Sequence, residues 1–100
     1  MDYLVSKTPD ECLALTERYF FSEEWPYPGT VNRHDSRVSY RENEGCLGTL
    51  SFSGSRVGVD VFALPHDGGT RLTMESSRDH YTQAINTWVE AELGATPVES

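Results

Sequence analysis

Each of the three histidines stands beside an aspartate, at His34-Asp35, His66-Asp67 and Asp79-His80. A carboxylate that orients an imidazole makes a general base, so each pair is a candidate dyad for proton transfer. Sequence neighbours seldom reach that geometry. Along a strand His34 and Asp35 point to opposite faces. His66-Asp67 enters a turn, where an aspartate bonds its own backbone. Asp79-His80 opens a helix, where the carboxylate complements the dipole. No HxH, HxxxH or CxxC spacing supplies the converging ligands of a metal site. Ser53-Gly54-Ser55 lacks the GxSxG pattern of a nucleophile elbow, and Gly68-Gly69 lies between strands rather than at the strand-to-helix turn of a phosphate loop. The sequence thus assembles no catalytic centre, no metal site and no cofactor cradle, and the reading is non-catalytic. Cys12 and Cys46 lack CxxC partners and read as free thiols of a reducing compartment.

The aromatic residues say more. Phe20, Phe21, Trp25 and Tyr27 cluster where a first helix runs into the loop Pro26-Tyr27-Pro28-Gly29. Trp25 and Tyr27 are hard to bury fully in such a loop, and exposed aromatics mark a binding surface. Tyr81 and Trp88 lie on the apolar stripe of a second helix, and Phe52 lies on an apolar strand face; these three would line a pocket between helix and sheet. Trp25, Tyr27, Tyr81, Trp88 and Phe52 are therefore the candidate ligand-binding residues. Arg33 and Arg37 read as solvated charges along one strand.

The elements that position these residues follow from spacing. Asp2 to Ser6 predicts a short strand. Thr8 with Pro9 and Glu11 is a helix start, followed by an apolar face at Cys12, Leu13, Leu15, Tyr19 and Phe20 that ends by Glu24, because Trp25 precedes a proline. From Thr30 to Ser76 the period is two. A polar strand is expected over residues 31–41, a turn at Glu42-Asn43-Glu44-Gly45, a strand from Cys46 to Ser53 and a hairpin turn at Gly54-Ser55. Val57, Val59 and Val61 form the next strand, in which Val61-Phe62-Ala63-Leu64 suggests a bulge or burial on both faces. Asp67-Gly68-Gly69 is a hairpin turn, and Leu72 and Met74 alternate with polar neighbours after it. Ser76 or Ser77 is the expected cap of a helix carrying Tyr81, Ala84, Ile85, Trp88 and Val89, stopped at Gly94. The expected fold is α+β, in the order β-α-β-β-β-β-α. A five-stranded antiparallel sheet carries the C-terminal helix across one face. Residues 1–94 form one domain and residues 95–100 a frayed tail.

This order, with the stretch Asp67-Gly68-Gly69-Thr70-Arg71-Leu72-Thr73-Met74-Glu75 and the amphipathic helix holding Trp88, resembles the polyketide cyclase/dehydratase branch of START-like, helix-grip domains over residues 57–94. The resemblance implies ligand binding between sheet and helix. Those domains are longer and have more strands to wall their cavity. The expectation is therefore a pocket near the lower end of the usual range of about 300–1,000 Å³, or none. Without a pocket, binding moves to an external surface that includes Trp25 and Tyr27, and a homodimer formed through that patch or a sheet edge follows.

Composition narrows the partners. The chain has 100 residues and a formal net charge of -8, with 16 acidic and 8 basic residues. So acidic a chain lacks a basic face for phosphates, so direct nucleic-acid binding is not expected. No apolar run approaches the roughly 20 residues of a membrane helix, and the first residues lack the pattern of a signal peptide. The reading is a cytoplasmic binding domain for a small apolar molecule or a protein partner. Its alternative is an acidic interaction or inhibitor protein that occupies a basic partner surface, as a nucleic-acid mimic would.

Overall fold

The Thr8 side-chain oxygen accepts a hydrogen bond from the Glu11 amide at 3.2 Å, and Pro9 takes the first helical position, so α1 (Pro9–Phe21) starts where its cap predicts. Cys12, Leu13, Thr16, Tyr19 and Phe20 are its buried stripe. Thr16 is tolerated there because its hydroxyl donates to the Cys12 carbonyl at 2.7 Å. The helix ends at Ser22, whose hydroxyl and amide both donate to the Tyr19 carbonyl. The structure, a computed structural model, describes residues 2–42 and 57–98.

Among these residues the fold is α+β, with two helices and a single antiparallel sheet of six strands. The strands are β1 (Asp2–Val5), β2 (Gly29–His34), β3 (Arg37–Glu42), β4 (Gly58–His66), β5 (Gly69–Ser76) and β6 (Thr96–Pro97). They lie in the order β2-β3-β4-β5-β1-β6. The second helix, α2 (Asp79–Glu92), follows β5. The five-strand order expected from sequence is corrected in its first half. Residues 31–41 are a hairpin, not one strand: the chain reverses at Asp35-Ser36, and His34 pairs with Arg37. Asp and Ser both favour turns, and no glycine marks this one in the sequence. The expected strand from Cys46 to Ser53, with the turn residues 43–45 before it and Gly54-Ser55 after it, lies outside the described residues.

The second half matches its signals closely. Asp67 and Gly68 both have positive φ, at 45° and 80°. These are the signs of a type I′ turn, whose twist suits a two-residue hairpin. The β4–β5 register then runs unbroken from His66↔Gly69 to Val59↔Ser76, so the expected bulge at Val61–Leu64 is absent. Alternation continues instead: Val61 and Ala63 are buried, while Phe62 and Leu64 face away from the helices. The expected caps of α2 are also corrected. Arg78 holds the cap position but its side chain does not cap the helix; it pairs with Glu42 instead. Ser77 is drawn to β4, its hydroxyl accepting from the Gly58 amide at 2.8 Å. Ser76 belongs to β5. Past Gly94, where φ turns to 61° and α2 stops, Thr96 and Pro97 pair with Leu4 and Tyr3 of β1.

Both helices meet the same core. α1 lies over β2, β3, β4 and β5, and α2 over β4 and β5. Tyr3, Val5, Val38, Tyr40, Val59, Val61, Leu72 and Met74 rise from the sheet to meet Leu13, Phe20, Tyr81, Ile85 and Val89. Each fully buried aliphatic side chain contributes about 1.5–3 kcal/mol. The other sheet face is polar and cross-linked. Arg71 pairs with Asp2 on β1, Arg41 with Asp60, which also accepts from the Ser39 hydroxyl at 2.7 Å, and Arg37 lies over the Phe62 ring at 5.8 Å. Arg33 points to the helix side, where it pairs with Asp10. The turn at Asp35-Ser36 therefore separates Arg33 and Arg37 onto opposite faces.

Candidate functional site

The loop that leaves α1 brings its aromatics inward. Trp25 is only 4% exposed. Its ring packs edge-on against Phe20 and Tyr40, at centroid distances of 4.8 and 5.1 Å, and tilted against Tyr81 at 5.3 Å. The Pro-rich loop folds over this cluster instead of presenting it to solvent. Its buried indole N–H makes no full hydrogen bond; the nearby Tyr40 hydroxyl is the group it acts on, favouring the phenolate. That influence is outweighed: burial first, then Tyr81, drives the Tyr40 phenol well above its ordinary value. The Tyr40 hydroxyl donates to the Pro28 carbonyl at 3.0 Å, tying the loop to β3.

Outside this layer lies a groove of about 540 Å³ between the loop and the exposed flank of α2. Tyr27, half-buried, walls one side and meets the rings of Trp25, His80 and Tyr81 at 4.9, 5.2 and 4.9 Å. The other side is α2 itself, through Ala84, Thr87, Trp88 and Ala91. The small side chains at 84, 87 and 91 recur at helical spacing, which leaves the hollow. Trp88 stacks on Tyr19 at 4.4 Å with planes 12° apart. The Tyr19 hydroxyl donates to the Ala84 carbonyl at 3.3 Å, clamping α1 to α2. Across this stacked pair lies a smaller groove of about 220 Å³ that includes Leu15, Arg18 and Leu93. Glu24 and Glu92 border both grooves. Burial, with help from the Glu24 carboxylate and Tyr27, pushes the Tyr19 phenol up to about 12.

Of the five residues singled out from sequence, Tyr27 and Trp88 line the larger groove. Trp25 and Tyr81, the latter 1% exposed, form the layer behind it. Phe52 lies outside the described residues. Sequence reasoning passed over Tyr19 and Glu24, weighed His80 only as half of a dyad with Asp79, and missed the Ala84–Thr87–Ala91 stripe whose spacing was a readable signal. Among the described residues, the three His–Asp pairs gather with no further His, Cys, Asp or Glu as metal ligands would. His66 approaches Asp67 at 3.4 Å on an exposed turn, His34 and Asp35 are both exposed, and His80 packs on Tyr81 at 4.3 Å. Among the described residues, no group of three or more His, Cys, Asp or Glu side chains gathers as metal ligands would, and no helix is long and apolar enough to cross a membrane. Comparison with known proteins found no matching family model, no matching curated protein and no matching solved structure.

Proposed function

We propose that this chain is a small non-catalytic binding domain of START-like, helix-grip type, and that it holds a small molecule with an apolar body in the groove between the Tyr27 loop and α2. The supporting observation is the groove: aromatic on one wall, small-residue helix on the other, and about 540 Å³ in volume. That volume falls within the range of about 300–1,000 Å³ typical of small-molecule sites. A protein partner would need about 800 Å² of surface on each side, far more than such a hollow offers. A site on the outer face is supported by the packing behind it: among the described residues, the rings of Trp25, Tyr40 and Tyr81 meet one another between loop, sheet and helix.

The test is a nitrogen–proton shift titration of the full chain with indole as a neutral aromatic probe. Shifts centred on Tyr27, Ala84 and Trp88 are expected, and Thr87→Trp, which fills the groove from an exposed position, abolishes them without lowering the melting temperature. Indole shifts that persist in Thr87→Trp contradict the assignment.

A further inference from the structure

We infer that the groove selects an organic cation, a small quaternary or tertiary ammonium carrying an apolar group; this rests on the binding reading above and adds the sign of the ligand's charge. The charged groups that border the groove are the carboxylates of Glu24 and Glu92, with His80 as the one imidazole. Both carboxylates are on exposed residues, and among the described residues neither is taken up in an ion pair. Arg18 lines the smaller groove beyond the Tyr19–Trp88 stack and not this one. Aromatic rings carry negative potential on their faces and attract ammonium groups, Trp and Tyr most strongly. Aromatic walls bordered by unpaired carboxylates thus present one sign of potential to an occupant, and the net charge of -8 reinforces it. An anionic ligand would meet two carboxylates in a groove whose lining, among the described residues, includes no Arg or Lys, while a neutral one would gain nothing from them. The groove's volume suits an aryl-substituted trimethylammonium rather than a bare metal ion, for which exposed carboxylates without further oxygen ligands make a poor cage.

The experiment is a shift titration of the full chain with benzyltrimethylammonium chloride and, separately, with neopentylbenzene, which has the same shape without the charge. The cation should bind at least about fivefold more tightly, the factor expected of a partly exposed cation–π contact. Its shifts should centre on Tyr27 and Trp88. Added salt should weaken it. The double variant Glu24→Gln/Glu92→Gln should narrow the gap between the two affinities, leaving the part due to the aromatic rings, while that of neopentylbenzene is unchanged. Equal affinity of the two probes for the unmodified chain overturns the charge selection and leaves the groove assignment standing. No binding of either probe overturns both. A trilysine peptide that binds this groove more tightly than benzyltrimethylammonium overturns the choice of a small ammonium in favour of a basic chain.

Discussion

Tyr19 of α1 and Trp88 of α2 stack with ring centroids 4.4 Å apart and planes within 12° of parallel, and this pair is both the seam between the helices and the partition between two grooves. The apolar stripe of α2 pointed Trp88 toward the sheet; its ring stacks on the other helix. Trp88 is 9% exposed, so Trp88→Ala opens the seam and costs about 3–5 kcal/mol. Stacked aromatic pairs couple by about 0.5–1.5 kcal/mol beyond their burial. A double-mutant cycle over Tyr19→Leu and Trp88→Leu, read by urea unfolding, should return a coupling of that size. Additive effects contradict a direct pairing.

The cap of α1 gives a smaller, cleaner effect. Thr8→Ala removes the acceptor for the Glu11 amide and should lower stability by about 1 kcal/mol. The urea midpoint should fall while the slope of the transition is unchanged, since the surface exposed on unfolding is the same. The groove lies at the other end of α1, so probe binding by the folded variant is untouched.

Those two helices differ in how readable their positions were. α1 could be bounded from sequence because its signals are local: a cap, a first-turn proline, and Pro26 four residues past its last cap, Ser22. The Asp67-Gly68 turn was legible for the same reason, since positive φ at both positions favours these residues. The turn at Asp35-Ser36 was not, because polar alternation runs across it without a break. Ser77 misled because a good capping residue is also a good backbone clamp, and Gly58 claimed it. The groove was the least legible feature. Its walls come from both helices and the loop between α1 and β2, and burial of Trp25 depends on how that loop closes over Phe20 and Tyr40. Spacing along a chain carries no record of that closure.

Acid should weaken the fold through Asp2. The Arg71 guanidinium, hydrogen-bonded to this carboxylate, holds its pKa below the ordinary value; Thr73 helps and burial opposes. A lowered folded value means that the ionised form stabilises the native state. The contribution is complete above the unfolded value of about 3.9 and disappears as pH falls through the folded one. Asp2→Asn should therefore be less stable than the unmodified chain at pH 6, by about 0.5 kcal/mol for so accessible a pair. The difference should shrink at the lowest pH at which both variants still fold. A gap that stays constant with pH rules out ionisation of Asp2 as its source.

Alkali should act on the site itself. The Tyr19 phenol is raised to about 12, chiefly by burial and then by Glu24 and Tyr27. Burial likewise raises Tyr40, further still, and Tyr3. In the unfolded chain these phenols lose their protons near 10. A raised folded value means that the native state keeps the proton longer. The stabilisation is complete below pH 10 and is lost as pH climbs through the folded values, so unfolding becomes easier from pH 10 upward. Phenolate absorbance at 295 nm should rise in two stages, the accessible rings first and the buried rings together with unfolding. Tyr19→Phe removes one of the groups that resist ionisation. It also removes the Tyr19 donor to the Ala84 carbonyl that ties α1 to α2, at a cost of about 1 kcal/mol near neutral pH. The variant should therefore start less stable at pH 8 and lose stability more slowly between pH 10 and 12, so that its gap to the unmodified chain narrows. A single absorbance wave near pH 10 while the chain remains folded would contradict the burial of Tyr19 and Tyr40, and with it the aromatic layer that backs the outer groove.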